Sequence, residues 1–231
     1  MGGNVLLIKQ INISMTNQPS LHITQFSTLQ PYAPTFAAMK QFTENRTKYD
    51  PDQLWLLQHH DVLTQGQAGK PEHVLLPSPD LPIVQTDRGG QVTWHGKGQL
   101  VGYLMFDLNR LKWNVRDLVN FTEQLIIDLL KHYGLTAYAK KDAPGVYINE
   151  QKIASLGFKI RKGCSYHGLS LNMDCSLDGF SRINPCGYAG LQMIRLIDVL
   201  DNPPNFAQIC QQIQHLIEKQ HIFSSIKTGL V

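Results

Sequence analysis

A cysteine lies in an unusual local setting in the stretch RINPCGYAG, residues 182–190, where Cys186 stands between a proline and a glycine. Proline fixes one backbone torsion and glycine frees the next, so the pattern predicts a turn that points the thiol outward. A thiolate could attack an acyl group, but a free thiol is only about 3% ionised near pH 7 and needs a cation or base beside it. The alternative is a small buried hydrophobic residue, which is what most free cysteines are.

A lysine is the chemically sensible partner for such a thiol, because an amine beside a thiol can exchange a proton with it. Lys152 is a candidate because it falls inside the apolar strand pattern KIASLG, where a lysine is unusual unless it is exposed or functional. An exposed position on an edge strand explains Lys152 equally well, and Lys97, Lys159 and Lys162 are competing candidates. The spacing by itself leaves the partner open.

A second candidate site is the glycine-rich segment RGGQVTWHGKGQ, residues 88–99. Glycines let a backbone approach a ligand closely, and the N–H groups that they expose suit a carbonyl or phosphate oxygen. Two nucleotide motifs are excluded: GKGQLVG does not fit GxGxxG, and GQAGKP has Pro71 where a P-loop requires Ser or Thr. An ordinary turn between strands is the alternative. His95, like His167 further along, could be a base, a positioning donor or a core residue.

Composition excludes several classes of protein. The 231 residues are 42% hydrophobic and 17% charged, which is typical of a folded globular chain. A net charge of +3 is too small to indicate a nucleic-acid partner, and no apolar run reaches membrane-spanning length. The four cysteines form no CxxC motif, and HExxH and GxSxG are absent, so we expect neither a metal site nor a serine nucleophile. Without a secretory pattern, we expect a cytoplasmic protein with reduced thiols.

The elements that must position these residues follow from hydrophobic periodicity. A helix is expected near Thr35, and the clearest helix spans residues 115–133, with Gly134 as its C-terminal cap. Residues 1–29 are expected to form a loose leader, with Met15 as an alternative start, and residues 30–231 to form one domain. The sequence predicts an α/β fold with a mixed sheet flanked by helices. The strands are expected at residues 54–58, 74–76, 99–108, 145–148, 152–160 and 166–173, and a last helix is expected after Pro204.

Taken together, the motifs resemble the lipoyl/octanoyl transferase family. The resemblance rests on RGGQVTWHGKGQLVGY, GVYINEQKIASLGFKI, YHGLSLNMD and RINPCGYAG, and on GQAGKPEH with the LWLL segment before it, which occur in the family's order over roughly residues 30–215. It implies a fold like the catalytic domain of biotin and lipoate protein ligases. It also implies that Cys186 accepts the acyl group and that Lys152 is its partner. The acyl-binding elements that it implies are Arg88, Gly89, Gly90, Gln91, Val92, Thr93, Trp94 and His95, then Ser155, Leu156 and Gly157, then Gly168, Leu169 and Ser170.

The reaction that the resemblance implies has two halves. Cys186 takes the octanoyl group from octanoyl-acyl carrier protein, and a lysine of an apo lipoyl domain then takes it as an amide, which is the first step of protein lipoylation. Backbone N–H groups of the turn after Pro185 are expected to stabilise the oxyanion. The implied acceptors are lipoyl domains of 2-oxoacid dehydrogenase complexes and the glycine cleavage protein. No cofactor, metal, nucleic acid or membrane is implied. The alternatives are an ATP-dependent lipoate ligase and a non-catalytic lipoyl-domain binding module.

Overall fold

The computed structural model describes residues 19–231, so predictions about residues 1–18, including Met15, lie outside the described residues. The strands are β1 Ser20–Gln30, β2 Asp52–His59, β3 Val62–Gln65, β4 Ile83–Gln85, β5 Val92–His95, β6 Gln99–Met105, β7 Tyr138–Ala139, β8 Gly145–Ile148, β9 Gln151–Arg161, β10 Cys164–Asn172 and β11 Ser225–Leu230. The α-helices are α1 Tyr32–Asn45, α2 Leu108–Leu111, α3 Val115–His132, α4 Asp178–Ser181 and α5 Phe206–Lys219.

Eight of the strands form one mixed sheet in the order β11-β1-β2-β6-β10-β9-β8-β7. β1 runs parallel to both β11 and β2, and every pairing from β2 to β7 is antiparallel. β4, β3 and β5 form a separate small sheet in that order. The predicted α/β fold with a mixed, helix-flanked sheet is therefore confirmed.

The core lies on both faces of the large sheet because successive side chains of a strand point to opposite sides. On β6, Leu100 and Leu104 join the cluster that includes the apolar faces of α3 and α5. Val101, Tyr103 and Met105 of the same strand join the cluster on the α1 side. Both faces of this central strand are thus covered, which explains why it reads as a continuous apolar run.

The predicted helices near Thr35, at 115–133 and after Pro204 are confirmed, although α1 begins earlier, at Tyr32. Gly134, expected to cap α3, has a positive φ of 80° just beyond the helix. No helix among residues 19–231 is both long and apolar enough to cross a membrane.

Three sequence predictions about boundaries are wrong. Residues 74–76 are not a strand: Val74 makes one isolated bridge, and Pro77 and Pro79, which lack backbone donors, follow directly. The strand predicted at 99–108 ends at Met105, because the Asp107 side chain caps α2. The boundary expected between residues 29 and 30 falls inside β1, so residues 20–29 belong to the sheet and not to a leader.

Candidate active site

Small residues on two neighbouring strands form the floor of a cavity on one face of the large sheet. Gly157 of β9 lies opposite Gly168 of β10, and Ser155 lies opposite Ser170. Side chains this small leave room above the sheet, and a bound chain can approach the backbone closely. The next strand, β6, continues the two rows with Val101 opposite Ser170 and Tyr103 opposite Gly168.

The cavity has a volume of about 380 Å³ and is open to solvent on one side. It brings together residues that are far apart in sequence, from the glycine-rich segment, β9, β10 and the cysteine turn. Of the sequence-predicted site residues it is lined by Arg88, Gly89, Gly90, Gln91, Val92, Thr93, His95, Lys152, Ser155, Leu156, Gly157, Gly168, Leu169, Ser170 and Cys186.

Cys186 occupies a strained turn at this cavity. It lies in the 3-10 turn Pro185–Gly187 with φ 56° and ψ 15°, a left-handed conformation that non-glycine residues rarely adopt. The neighbouring Gly187 also has a positive φ, of 79°. Cys186 is half-buried, whereas Cys164, Cys175 and Cys210 are buried. The turn therefore presents this one thiol of the described cysteines to the cavity, at a cost in backbone strain.

Lys152 is the hydrogen-bond partner of that thiol. Its Nζ donates to Cys186 Sγ at 3.4 Å, and the lysine is only 3% exposed. The backbone of Lys152 also holds the chain that follows the cysteine turn: its N–H donates to Gln192 O at 2.9 Å, and its carbonyl accepts from Ile194 at 3.1 Å. The same residue thus supplies the amine and anchors the segment that carries the cysteine. Lys97 and Lys162 do not line the cavity, and Lys159 contacts the side chain of Gln67.

Two of the expected oxyanion donors are already engaged. The N–H of Gly187 donates to Asn184 O at 3.0 Å, and the N–H of Tyr188 donates to Pro185 O at 3.1 Å. Both bonds hold the turn itself together. In this conformation, the turn does not offer these two donors to a substrate oxygen, which differs from the expectation stated above.

Arg88 brings a buried positive charge to the cavity. Its guanidinium donates to the carbonyl and hydroxyl of Thr64 at 2.6 and 2.9 Å and to Gly89 O at 2.9 Å, which are all uncharged acceptors. Burial lowers the pKa of Arg88 from its usual range, although the guanidinium still stays protonated. The backbone of this segment rests on β9, because Gly89 N–H donates to Phe158 O at 2.9 Å. A cation without a paired carboxylate favours negative charge in its surroundings.

Two aromatic side chains that line the cavity, Tyr32 and Tyr103, pack against the buried ring of His59. Burial lowers the pKa of His59 to about 4, so its ring is uncharged near neutral pH. Its Nδ1 lies 2.8 Å from the carbonyl of Gln30 and must donate, so its Nε2 accepts from the Tyr103 hydroxyl at 2.6 Å. This bond holds the Tyr103 side chain beside the floor, where Tyr103 lies opposite Gly168. The Tyr32 ring is tilted by 56° against the ring of His59, with 5.0 Å between the ring centroids.

Each of the two candidate histidines is held by a hydrogen bond to another side chain. His95 Nδ1 lies 2.7 Å from Gln99 Oε1, and burial lowers the pKa of His95 to about 3. His167 donates from Nε2 to Asp87 at 2.9 Å, and Tyr166 donates to the same carboxylate at 2.6 Å. Burial opposes the charge of Asp87, but these two hydrogen bonds outweigh it and lower the pKa of Asp87 to about 2. Both histidines line the cavity, and their hydrogen bonds run to residues other than Cys186.

Trp94 is the one predicted binding residue that the structure places elsewhere. It is 3% exposed and packs edge-on against Phe180 at 5.4 Å in the small cluster under β5. Alternation along the strand turns its side chain away from the cavity, so Trp94 does not line the space that the other predicted residues share. The sequence analysis did not identify the lining residues Tyr32, Val101, Tyr103, Val115, Val119, Ala143, Pro144, Phe158 and Tyr188. Four of them, Val101, Tyr103, Phe158 and Tyr188, lie inside motifs that carry the family resemblance, and the other five lie outside those motifs.

Comparisons with known proteins agree with this geometry. Residues 31–218 match the model of the lipoyl protein ligase A/B catalytic domain. An octanoyltransferase of Acinetobacter baylyi is 60% identical over 213 residues, which cover 92% of this chain and 97% of that protein. The structure resembles a bipartite lipoate protein ligase from Thermoplasma acidophilum, which is described together with its E2 lipoyl domain. The TM-score is 0.73 and the sequence identity 13%, and the match covers 93% of this chain and 87% of that one. It also resembles a biotin protein ligase from Aquifex aeolicus, with a TM-score of 0.50 at 9% identity over 87% and 69% of the two chains.

Proposed function

This chain belongs to the lipoyl protein ligase A/B catalytic domain family, and from that premise we propose that it is an octanoyltransferase in which Cys186 carries the acyl group. The observation that supports the assignment of the residues is the contact of 3.4 Å between Lys152 Nζ and Cys186 Sγ at an acyl-sized cavity. A half-buried thiol beside a buried amine has the parts needed for acyl transfer through a covalent intermediate.

In the first half-reaction the thiolate of Cys186 attacks the carbonyl carbon of octanoyl-acyl carrier protein. The new carbon–sulfur bond forms, the bond to the carrier's sulfur breaks, and the ammonium of Lys152 supplies the proton that the departing thiolate needs. The acyl chain lies on the floor of Ser155, Gly157, Gly168 and Ser170. The positive charges of Lys152 and Arg88 favour the oxyanion that forms on the way.

In the second half-reaction an acceptor lysine attacks the thioester on Cys186. Lys152, now neutral, takes the proton that the incoming amine loses, and the sulfur of Cys186 departs as the amide forms. The products are an octanoylated lysine and free enzyme. Because the thioester already stores the activation, neither half needs a nucleotide or a metal.

The donor and acceptor proteins that we propose are octanoyl-acyl carrier protein and apo lipoyl domains. The acceptor domains are those of 2-oxoacid dehydrogenase complexes and of the glycine cleavage protein. The family implies both classes of partner, and the related lipoate ligase from Thermoplasma acidophilum is described with an E2 lipoyl domain. The net charge of +3 suits acidic partners through electrostatic steering.

Two alternatives make different demands on the site. An ATP-dependent lipoate ligase activates a free acid and does not need a nucleophilic cysteine. A non-catalytic lipoyl-domain binding module needs neither Cys186 nor Lys152, and it does not account for a strained turn that holds the thiol against the amine. Octanoyl transfer that proceeds without ATP from a carrier thioester would exclude both.

Intact-protein mass spectrometry after mixing with octanoyl-acyl carrier protein tests the proposed function. The wild-type chain should gain one octanoyl group, and Cys186→Ser should gain none and lose transfer to a lipoyl domain. Cys164→Ala is the matched control, because burial raises the pKa of the Cys164 thiol and this residue lies away from the cavity. Normal transfer by Cys186→Ser would exclude covalent catalysis at that residue.

A further inference from the structure

Glu123 is a buried carboxylate that the proposed reaction does not use. It belongs to the buried, mostly apolar face of α3 and is only 8% exposed. Its Oε1 accepts a hydrogen bond of 2.9 Å from the backbone N–H of Gly145, the first residue of β8. Burying a carboxylate is unfavourable unless it is well bonded, so its presence at this position needs a physical reason.

The residue that Glu123 holds packs directly against the lysine of the site. A Cβ built on Gly145 would lie 2.3 Å from Lys152 Cε and 2.6 Å from the backbone oxygen of Ala154, so a larger residue would displace the lysine and clash with the backbone. Gly145 also has a φ of 140°, which disfavours any other residue. Two residues further along β8, the ring of Tyr147 lies 5.5 Å from Lys152 Nζ. Lys152 therefore lies in a slot made by β8, with Gly145 against its stem and Tyr147 near its amine.

A bulge in the sheet lies beside this slot. The pairing of β8 with β9 shifts between Val146 and Tyr147, so Gly145 lies opposite Ser155 and Tyr147 lies opposite Lys152. The extra residue on β9 interrupts the ladder beside the lysine and bends the strand there. The bond from Gly145 to Glu123 ties the start of β8 to the long helix α3 at this point.

We propose that Glu123 is a positioning residue, which fixes Gly145 and thereby holds the amine of Lys152 against Cys186. This inference rests on the proposed function only in assigning the Lys152–Cys186 pair its catalytic use. The action passes through the backbone of β8, since the ion pairs of residues 19–231 do not include one between Glu123 and Lys152.

The test measures how fast iodoacetamide alkylates Cys186 at a series of pH values, by intact mass. This readout needs no octanoyl substrate, so it is independent of whether the proposed function is correct. Glu123→Met removes the acceptor, and Glu123→Gln keeps an oxygen that can accept from Gly145. Thr122→Val is the matched control, because it removes a buried hydrogen bond within α3 that does not reach β8.

We expect Glu123→Met to slow alkylation about tenfold near pH 7, and to have little effect near pH 10, where thiols ionise without help. Glu123→Gln and Thr122→Val should stay within about twofold of wild type. In a Lys152→Ala background, Glu123→Met should cause no further slowing, because its effect passes through the lysine.

Three results would overturn the proposal. One is slowing by Glu123→Met of the same size at every pH. Another is further slowing of alkylation when Glu123→Met is added to Lys152→Ala, by the same factor that Glu123→Met causes in the wild type. The third is slowing by Thr122→Val as large as that by Glu123→Met, which would indicate general loosening of α3. By contrast, normal alkylation behaviour without any octanoyl transfer would contradict the proposed function and leave the positioning role of Glu123 intact.

Discussion

Replacing Lys152 by alanine should slow acylation of Cys186 most strongly near neutral pH. The substitution removes the ammonium that lies 3.4 Å from the sulfur and with it the charge that favours the thiolate. At that separation two unit charges interact by about 1 kcal/mol in water and about 5 kcal/mol at an effective dielectric constant of about 20. The lysine is buried but the cavity is open on one side, so we expect an effect between these limits.

The interaction energy converts into a rate through the population of thiolate. Each ~1.4 kcal/mol changes that population tenfold until ionisation is complete, and an ordinary thiol is already about 3% ionised near pH 7, so acylation by Lys152→Ala should be slower there by about 10-fold to 30-fold. As the pH rises past about 8.5, an ordinary thiol ionises by itself, and the difference from wild type should shrink.

Single-turnover acylation from octanoyl-acyl carrier protein, followed by mass spectrometry across pH, measures this dependence. Lys159→Ala is the control, because Lys159 lies on the same strand and contacts Gln67 at the surface. It should behave like wild type. A deficit in Lys152→Ala that is equal at all pH values, or smaller than about twofold near pH 7, would refute the electrostatic reasoning.

Two further predictions concern His59 and Tyr103, which are joined by a hydrogen bond beside the cavity. The neutral, buried His59 binds fewer protons than an unfolded histidine, so it favours folding above about pH 6.5, and this contribution is lost as the pH falls toward its folded pKa of about 4. In His59→Gln, the free energy of unfolding should therefore decrease less over that pH interval, by up to about 3 kcal/mol. Urea denaturation across pH measures this, and an unchanged pH dependence would contradict the assigned cause. Tyr103→Ala should extend the floor and raise the rate with dodecanoyl relative to octanoyl donors; an unchanged ratio in competition assays would show that Tyr103 does not limit chain length.

The sequence determined the type of fold and the positions of its main elements. Long amphipathic helices such as α3 and α5 carry their periodicity and caps within a few residues, so local patterns are sufficient to find them. Residues 74–76 were misjudged because an apolar run does not show whether a partner strand will meet it. The start of β1 was missed because its pairing with β2 and β11 is a property of distant residues.

At the site, too, some features followed from the local sequence and others only from the tertiary structure. Turn residues around Cys186 indicated an exposed thiol, since proline and glycine constrain only their immediate neighbours. The choice among four lysines depended on three-dimensional distance, which residue spacing does not encode, and the fold brings Lys152 to 3.4 Å from a sulfur 34 positions away. Trp94 turned away from the cavity because one step along a strand reverses the side chain. The roles that we propose for Glu123 and Tyr103 likewise arise from contacts made across strands and helices, which only the folded chain creates.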